Sequence, residues 1–398
     1  FRLDKTLLIG DDYRDCQASY NAGCKSVLIG NISELDKLLD HEKPILKNTR
    51  LTDCISNILD FFNSNITMII TRTPFRISFA GGGTDLKAYY AKETGKVIST
   101  SIDKYIYVVI KRQIGIVEYK YRINWSKVEF KNTVDEIEHP IVREALRIFG
   151  IDFPIEITTF SDIPGQTGLG SSSAFAVGLV HALYALKGEM ATKHSIASTA
   201  ANIEVNILGR SMGKQDHYAS AYGNLNIFTF NKDETVLVEP VLYLPEIKKA
   251  IEDNLHLFYL KSKRDASKIL EVQRQKTPQI FENLSELKSL VGPLCDIFSS
   301  GKDINNFGTL LHKGWNIKKA LTKVISTTEI DNYYQKALDS GAIGGKLLGA
   351  GGGGFLLLYV EEESKQSVID ALPNLFHLNI RFDQAGTRIT YYDQSMIG

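Results

Sequence analysis

The sequence predicts a short βαβ segment followed by two larger domains, one mixed α/β and one α+β. Three observations carry that reading. The chain has 398 residues, more than one ordinary hydrophobic core serves. Residues 3–30 read strand, turn, helix, strand. From residue 68 a strand-rich run leads into a strand, a Gly/Ser loop and a long apolar helix, and a second Gly-rich loop recurs at 346–354. The expected divisions are residues 1–63, 66–240 and 241–398.

Each element follows from local pattern. TLLIG (6–10) is a short apolar run and KSVLIG (25–30) a second. CQASYNAG (16–23) between them is a helix that ends at Gly23, a residue suited to the left-handed cap. Asp11 and Asp15 stand where the first strand ends, the place where open α/β sheets put ligands. ISELDKLLD (32–40) and DCISNILDFF (53–62) carry helical periodicity. SNIT (64–67) separates these from a new pattern at Met68. IITRTPFRISFA (69–80) and VISTSIDKYIYVVIKRQ (97–113) are rich in β-branched and aromatic residues and predict strands. HPIVREALRIFG (139–150) predicts a helix and PIEITTFSDI (154–163) a strand. SSSAFAVGLVHALYALKG (171–188) and HSIASTAANIEVNILG (194–209) predict two further helices, and residues 241–398 mix helices with two late strands.

Composition excludes several function classes. Lys plus Arg and Asp plus Glu both number 46, so no charge excess draws nucleic acid or an anionic membrane. The apolar runs are too short to span a bilayer. The four cysteines, Cys16, Cys24, Cys54 and Cys295, lack metal-ligand spacing and read as reduced thiols of a cytoplasmic protein. The chain begins with Phe1 rather than Met, so a preceding segment is expected.

The chemistry concentrates in PGQTGLGSSS (164–173), which joins a strand to a helix. Glycines let backbone N–H groups approach an anion, and a helix N-terminus adds unpaired donors and partial positive charge. Serine hydroxyls can donate to phosphate oxygens or ligate Mg²⁺. The loop lacks the Gly-Lys-Ser/Thr ending of a P-loop. Gly168, Gly170, Ser171, Ser172 and Ser173 are therefore candidates to cradle phosphates.

Three other segments join this loop. RTPFRISFAGGGTD (72–85) ends a strand in three glycines and an acid. GKQDHYASAYG (213–223) sets Asp216 after a glycine-bearing turn. KLLGAGGGG (346–354) is a second backbone-rich loop. Together, over roughly residues 66–398, these resemble the GHMP family of small-molecule kinases, and with HKGWNIKKAL (312–321) they look most like the D-glycero-D-manno-heptose 7-phosphate kinases, with fucokinases as the nearest rival.

The resemblance implies a ribosomal protein S5 domain 2-like N-terminal domain and a ferredoxin-like C-terminal domain, with the active site between them. It implies ATP and Mg²⁺ as cofactors and phosphorylation of the anomeric hydroxyl of heptose 7-phosphate to the 1,7-bisphosphate, a step toward nucleotide-heptose and surface polysaccharide. Asp216 is then the candidate base and Arg76 the cation near the transferred phosphoryl. Ser172 and Glu204 are the Mg²⁺ ligands. Thr84 and Asp85 match the sugar-binding residues of the galactokinase-like pattern, although Gly82 and Gly83 stand where galactokinases have an acid and a histidine. Gly349, Ala350, Gly351 and Gly353 buttress the phosphate loop. For the 7-phosphate, Lys214, Lys263, Arg264, Lys318 and Lys319 are candidates, with Arg264 first because it precedes a helix start in KSKRDASKIL (261–270). His217 is given no role. Trp125 and Trp315 are packing residues, with the sugar pocket as the alternative for Trp315. Expected partners are the sugar phosphate and ATP, without nucleic acid or membrane, and a homodimer stays open. Two alternatives stand beside this reading: a fucokinase-like enzyme for an unphosphorylated sugar, and a catalytically silent sugar-binding protein on the same fold.

IGDDYRDCQASYNAGCKSVLIG (9–30) resembles the C-terminal part of a HAD-superfamily phosphatase, most like the heptose-bisphosphate phosphatases. In that family Asp11 and Asp15 would hold Mg²⁺. The nucleophile motif DxDx[TV] is absent from the chain, so this segment is expected to be inactive alone, and mobile or paired with a partner.

Overall fold

The computed structural model describes residues 7–10, 13–29, 38, 43–44, 46–48, 68–113, 118–261, 269, 271–272, 275–277, 279–322 and 324–393. The chain divides into two compact units, Phe1–Thr67 with Asp393–Gly398, and Met68–Tyr392.

In the smaller unit, β1 (Leu7–Gly10), α1 (Tyr13–Asn21) and β2 (Lys25–Ile29) form the expected βαβ. The strands are parallel, and a third short strand, β3 (Leu46–Asn48), extends the sheet beside β2. Gly23 takes a φ of 73°, and Cys24 N–H returns to Ser19 O at 3.0 Å, which closes the helix. Cys16, Leu28 and Leu38 make a small core with Tyr13 against it. Asp15 lies against the end of β1, because a Cβ added at Gly10 would meet its carboxylate at 2.4 Å. Asp11, Cys54 and nearly all of the two helices expected at 32–40 and 53–62 lie outside the described residues.

The larger unit holds an eight-stranded sheet. Its spine is the antiparallel pair β4 (Met68–Ala80) and β5 (Gly95–Arg112). β5 is long enough to serve two neighbours. Its first half pairs β9 (Leu225–Phe230), and its second half pairs β8 (Ile155–Ser161). β6 (Tyr121–Asn124) and β7 (Val128–Lys131) extend the sheet on one side and β10 (Val236–Pro240) on the other. The β4–β5 register shifts between Pro74 and Arg76. Proline has no N–H for the ladder, and a bulge re-aims the following residue. Arg76 N–H consequently bonds Leu169 O at 3.1 Å, which ties the strand to the Gly/Ser loop.

After α2 (Lys87–Tyr90) and α3 (Pro140–Phe149), the apolar helix α4 (Ser171–Leu186) packs on β4 and β5. Gly178 brings it close, since Thr71 Oγ1 donates to Gly178 O at 2.9 Å. The helix expected over 194–209 splits in two. α5 (Lys193–Ala201) is regular, and Asn202–Ile207 widens into a π-turn. Periodicity does not reveal the widened turn, which commonly marks functional sites. α6 (Gln215–Tyr222) follows.

Beyond α7 (Pro245–Asn254), the chain builds a four-stranded antiparallel sheet in the order β14-β11-β13-β12. These are β11 (Leu255–Tyr259), β12 (Ala342–Leu347), β13 (Phe355–Val360) and β14 (Phe376–Asn379). Helices α8 (Phe281–Ser289), α9 (Val291–Ser300), α10 (Asn306–Leu321) and α11 (Thr328–Asp339) fall between β11 and β12, and α12 (Glu362–Ala371) between β13 and β14. Counting one crossover as helical, this is the β-α-β-β-α-β order expected of a ferredoxin-like domain. Trp315 is fully buried in its core with Tyr334, Leu347 and Leu356, so it packs rather than lining a pocket. Trp125 is exposed and donates to Glu129 at 2.9 Å. The last strand, β15 (Arg388–Asp393), crosses back to pair β4, so residues 388–393 of the 241–398 division join the first sheet.

Candidate active site

A cavity of about 470 Å³ opens between the two sheets of the larger unit. One wall is the N-terminus of α4. Gly170 caps it at a φ of 78° with no side-chain cap, so the first N–H groups of the helix lack internal acceptors. Ser171, Ser172 and Ser173 line the cavity there with Gly168 and Gly170. Gly168 also meets the second Gly-rich loop backbone to backbone: a Cβ on Gly349 would stand 2.5 Å from the Gly168 Cα. No side chain fits at either position. Gly349 and Ala350 reach the cavity, whereas Gly351 packs on Ile325.

Arg76 and Asp216 stand at the junction. Arg76 forks onto the carboxylate, Nε to Oδ1 at 2.6 Å and Nη2 to Oδ2 at 2.7 Å, and its Nη1 donates to Gly168 O at 2.7 Å. Asp216 sits in the first turn of α6 and approaches the phosphate loop so closely that a Cβ on Gly170 would lie 3.1 Å from its Oδ2.

Ser172 and Glu204, which are 32 residues apart, are brought together. Ser172 Oγ donates to Glu204 Oε1, and Arg210 Nη1 reaches both, 2.7 Å from Ser172 Oγ. His217 bonds the other oxygen, Glu204 Oε2, at 2.9 Å, and both residues are fully buried. Burial pushes the Glu204 carboxyl up, but the His217, Ser172 and Arg210 contacts outweigh it and hold the group below its usual value. The reading that gave His217 no role missed this contact, because nothing in the sequence signals a bond across the π-turn. Arg210 was missed for the same reason.

On the opposite wall Asp85 accepts from Gly83 N–H at 3.0 Å, Gln215 N–H at 3.2 Å and Gln215 Nε2 at 3.0 Å. Burial first, then the Asp216 charge, raises its pKa. Thr84 does not reach the cavity. It is fully buried, and its hydroxyl donates to Gly81 O at 2.7 Å and accepts from Lys96 N–H at 3.1 Å. Gly82 lines the cavity, and a Cβ there would stand 3.7 Å from Gln215 Nε2 and 3.8 Å from Ser78 Oγ.

The candidate cations part company. Lys214 pairs with Glu234 and lies over the Tyr90 ring. Lys319 pairs with Asp331 at 3.2 Å. Lys318 lines the cavity, and so does Lys346, which the sequence reading did not single out. Lys263 and Arg264 lie outside the described residues.

The profile "GHMP kinases N terminal domain" matches residues 135–224, and "GHMP kinases C terminal" matches residues 284–378. The D-glycero-alpha-D-manno-heptose 7-phosphate kinase of Campylobacter jejuni is 30% identical over 322 residues, covering 76% of this chain and 93% of that one. The chain belongs to the GHMP kinases. A galactokinase of Pyrococcus furiosus is 22% identical over 346 residues, 77% of this chain and 93% of its own. A crystal structure of a D-glycero-D-manno-heptose 1-phosphate kinase from Bacteriodes thetaiotaomicron superposes with a TM-score of 0.66 at 24% identity, covering 81% of this chain and 99% of that one, a likeness of fold. As a GHMP kinase the protein is an ATP-dependent phosphotransferase acting on an alcohol group of a sugar. The two profiles lie within the larger unit. The phosphatase resemblance of the front segment rests on its sequence motif alone, since a βαβ unit is common to many folds. Among the described residues no helix is long and apolar enough to cross a membrane.

GHMP kinases work with ATP and Mg²⁺ generally. The donor set here suits that ion. Ser172 lines the phosphate-loop wall and Glu204 lies fully buried behind it, two adjacent oxygen donors bridged by Arg210, and among the described residues no cluster of three or more carboxylate, imidazole or thiol groups competes. Mg²⁺ is typically held by one or two protein oxygens, with phosphates and water completing its shell.

Proposed function

We propose that this kinase phosphorylates the anomeric hydroxyl of D-glycero-D-manno-heptose 7-phosphate, giving the 1,7-bisphosphate for nucleotide-heptose and surface polysaccharide synthesis. The observation that carries the reaction is the position of Asp216, beside Gly170 of the phosphate loop and on the same cavity as Asp85. An acceptor hydroxyl set between them would meet a carboxylate and the terminal phosphate of ATP together. The 30% identity to a heptose 7-phosphate kinase over most of both chains supports the choice of sugar.

The chain's own residues then act as follows. The N–H groups at the start of α4, with Ser171 and Ser173, hold the ATP phosphates. Ser172 and Glu204 would hold Mg²⁺, which neutralises phosphate charge when bound with ATP. Asp216 accepts the proton of the anomeric hydroxyl as its oxygen bonds the terminal phosphorus and the bond to the ADP oxygen breaks. Arg76 holds Asp216 in place and offers positive charge to the phosphoryl in transit. Asp85, fixed by Gln215, receives sugar hydroxyls. Thr84 serves the sugar site indirectly, by holding the Gly81–Asp85 turn.

The test is ATP consumption with Mg²⁺ on heptose 7-phosphate beside free fucose and mannose. Turnover confined to the heptose phosphate is the expected result. Turnover on a free sugar, with none on the heptose phosphate, would move the enzyme to the fucokinase-like reading.

A further inference from the structure

The cavity carries more positive charge than the reaction just described uses. Lys318, on α10, and Lys346, on β12, both line it. Neither meets a carboxylate among the described residues. Lys318 Nζ donates to Leu347 O and Gly349 O, and Lys346 Nζ donates to Ser78 O at 2.8 Å and Phe79 O at 2.9 Å. An ammonium has three donors, so each lysine keeps one in hand. Ser78 adds a hydroxyl whose oxygen is buried on the same cavity and has no partner among the described residues. Gly82 lines the same cavity, and a Cβ there would stand in contact with the Ser78 hydroxyl, 3.8 Å from its Oγ.

Two cations without a counter-charge among the described residues, Lys346 buried and Lys318 half-buried, are costly unless an anion joins them. Burial and neighbouring cations disfavour the charged form of both lysines. Burial, then Arg76, lowers Lys318 to about 8. Burial, then Lys318 and Arg76, holds Lys346 well below its ordinary value. The anion is not the ATP triphosphate alone, because the ammonium of Lys346 is fastened to the strand end that leads into the Gly81–Asp85 turn, on the acceptor wall. Arg76, bonded to Gly168 O, is fastened to the phosphate loop instead, and Lys318, bonded to Leu347 O and Gly349 O, reaches the cavity where β12 runs into the second Gly-rich loop.

We propose that Lys318, Lys346 and Ser78 form a subsite for a phosphate carried by the acceptor, and that Gly82 keeps it open. This rests on the reading of the acceptor as a sugar phosphate and names the residues that select it. Ser78 and Lys346 come from the two sheets and Lys318 from α10, so the acceptor's own phosphate would bridge β4 to α10 and β12.

The experiment compares wild type with Lys318→Met, Lys346→Met and Ser78→Ala on heptose 7-phosphate and on free heptose, with KM for acceptor and for ATP measured separately. Loss of one charge-assisted hydrogen bond is expected to cost roughly 10- to 100-fold in kcat/KM for the phosphorylated acceptor. The loss on free heptose should be at least about tenfold smaller, and the ATP KM should move little. Equal losses on both acceptors, or a rise confined to the ATP KM, would place the lysines on the transferred phosphoryl or on ATP and overturn the proposal. Thermal unfolding of each variant identifies a folding defect. Should Lys346→Met unfold, Lys318→Met and Ser78→Ala still decide the matter. Failure of wild type to use heptose 7-phosphate would defeat the substrate reading itself, a result visible before any variant is made.

Discussion

Arg76 and Asp216 are joined by two parallel hydrogen bonds of 2.6 and 2.7 Å, a fork that fixes the carboxylate plane. Each carboxylate oxygen keeps a lone pair for a further donor. Asp216→Ala should lower kcat by roughly 10²–10⁴-fold, the usual contribution of a general base, with little change in ATP KM. Asp216→Asn separates proton removal from positioning. Steady-state kinetics as poor as those of Asp216→Ala identify a base, and near-wild-type turnover in either variant removes Asp216 from the mechanism.

Thr84 tests the difference between a sugar ligand and a turn brace. Its hydroxyl is bonded on both sides to backbone, Gly81 O and Lys96 N–H among them. Thr84→Val keeps the shape and loses those bonds. The expected cost is about 1–3 kcal/mol of stability, read as a lowered Tm, with acceptor KM rising only alongside that loss as the Gly81–Asp85 turn loosens. A large rise in acceptor KM at unchanged Tm would return Thr84 to the substrate.

Gly349 and Gly168 allow no side chain between them, since a Cβ on Gly349 would lie 2.5 Å from a backbone atom and its φ is 69°. Gly349→Ala should therefore destabilise the protein by roughly 1–3 kcal/mol and raise the ATP KM by displacing the phosphate loop. Thermal unfolding and ATP titration read the two effects together.

His217 holds Glu204 Oε2 at 2.9 Å while Ser172 bonds Oε1. Removing such an outer partner of a metal ligand costs about 10–100-fold in metal affinity. His217→Ala should raise the Mg²⁺ concentration for half-maximal activity by that factor, and His217→Gln, which restores a donor, should recover much of it. Equal Mg²⁺ dependence in all three proteins would leave His217 as packing only.

Lys318 predicts a pH dependence. Arg76 and Lys346 are the cations beside it, and burial with Arg76 lowers it from 10.5 to about 8. Its charged form is disfavoured in the folded chain. Its penalty on stability is therefore full below about pH 8 and fades as pH rises toward 10.5. Anion binding runs the other way, because it needs the ammonium. Acceptor KM for heptose 7-phosphate should rise as pH increases through about 8, and this rise should be absent in Lys318→Met. A flat wild-type profile from pH 7 to 9 would contradict it.

Much of this site is legible in sequence because its chemistry is backbone-borne. Glycines at 168, 170 and 349 are required by close approach and left-handed backbone, and those demands leave fixed residue types behind. Asp216, Arg76, Ser172 and Glu204 are legible only through the family pattern, and the structure brings them to one cavity or into contact with a residue that lines it. The contacts of Arg210 and His217 were not legible, since they depend on the π-turn at Asn202–Ile207, where a single extra residue per turn changes which side chains meet. Lys346 was hidden for a different reason. It opens the stretch read from sequence as a backbone-rich loop, and only the pairing of β12 with β13 and the approach of β4 turn it toward Ser78. Thr84 shows the converse error: a residue adjacent to a ligand motif can be fully engaged with backbone.

The measurement that tests the central claim most directly is ³¹P NMR of the product formed from heptose 7-phosphate, ATP and Mg²⁺. The account predicts a new phosphate signal coupled to the anomeric proton, appearing in step with ADP while the 7-phosphate signal persists. A phosphate on any other hydroxyl, or ATP hydrolysis with no new sugar phosphate, would contradict it.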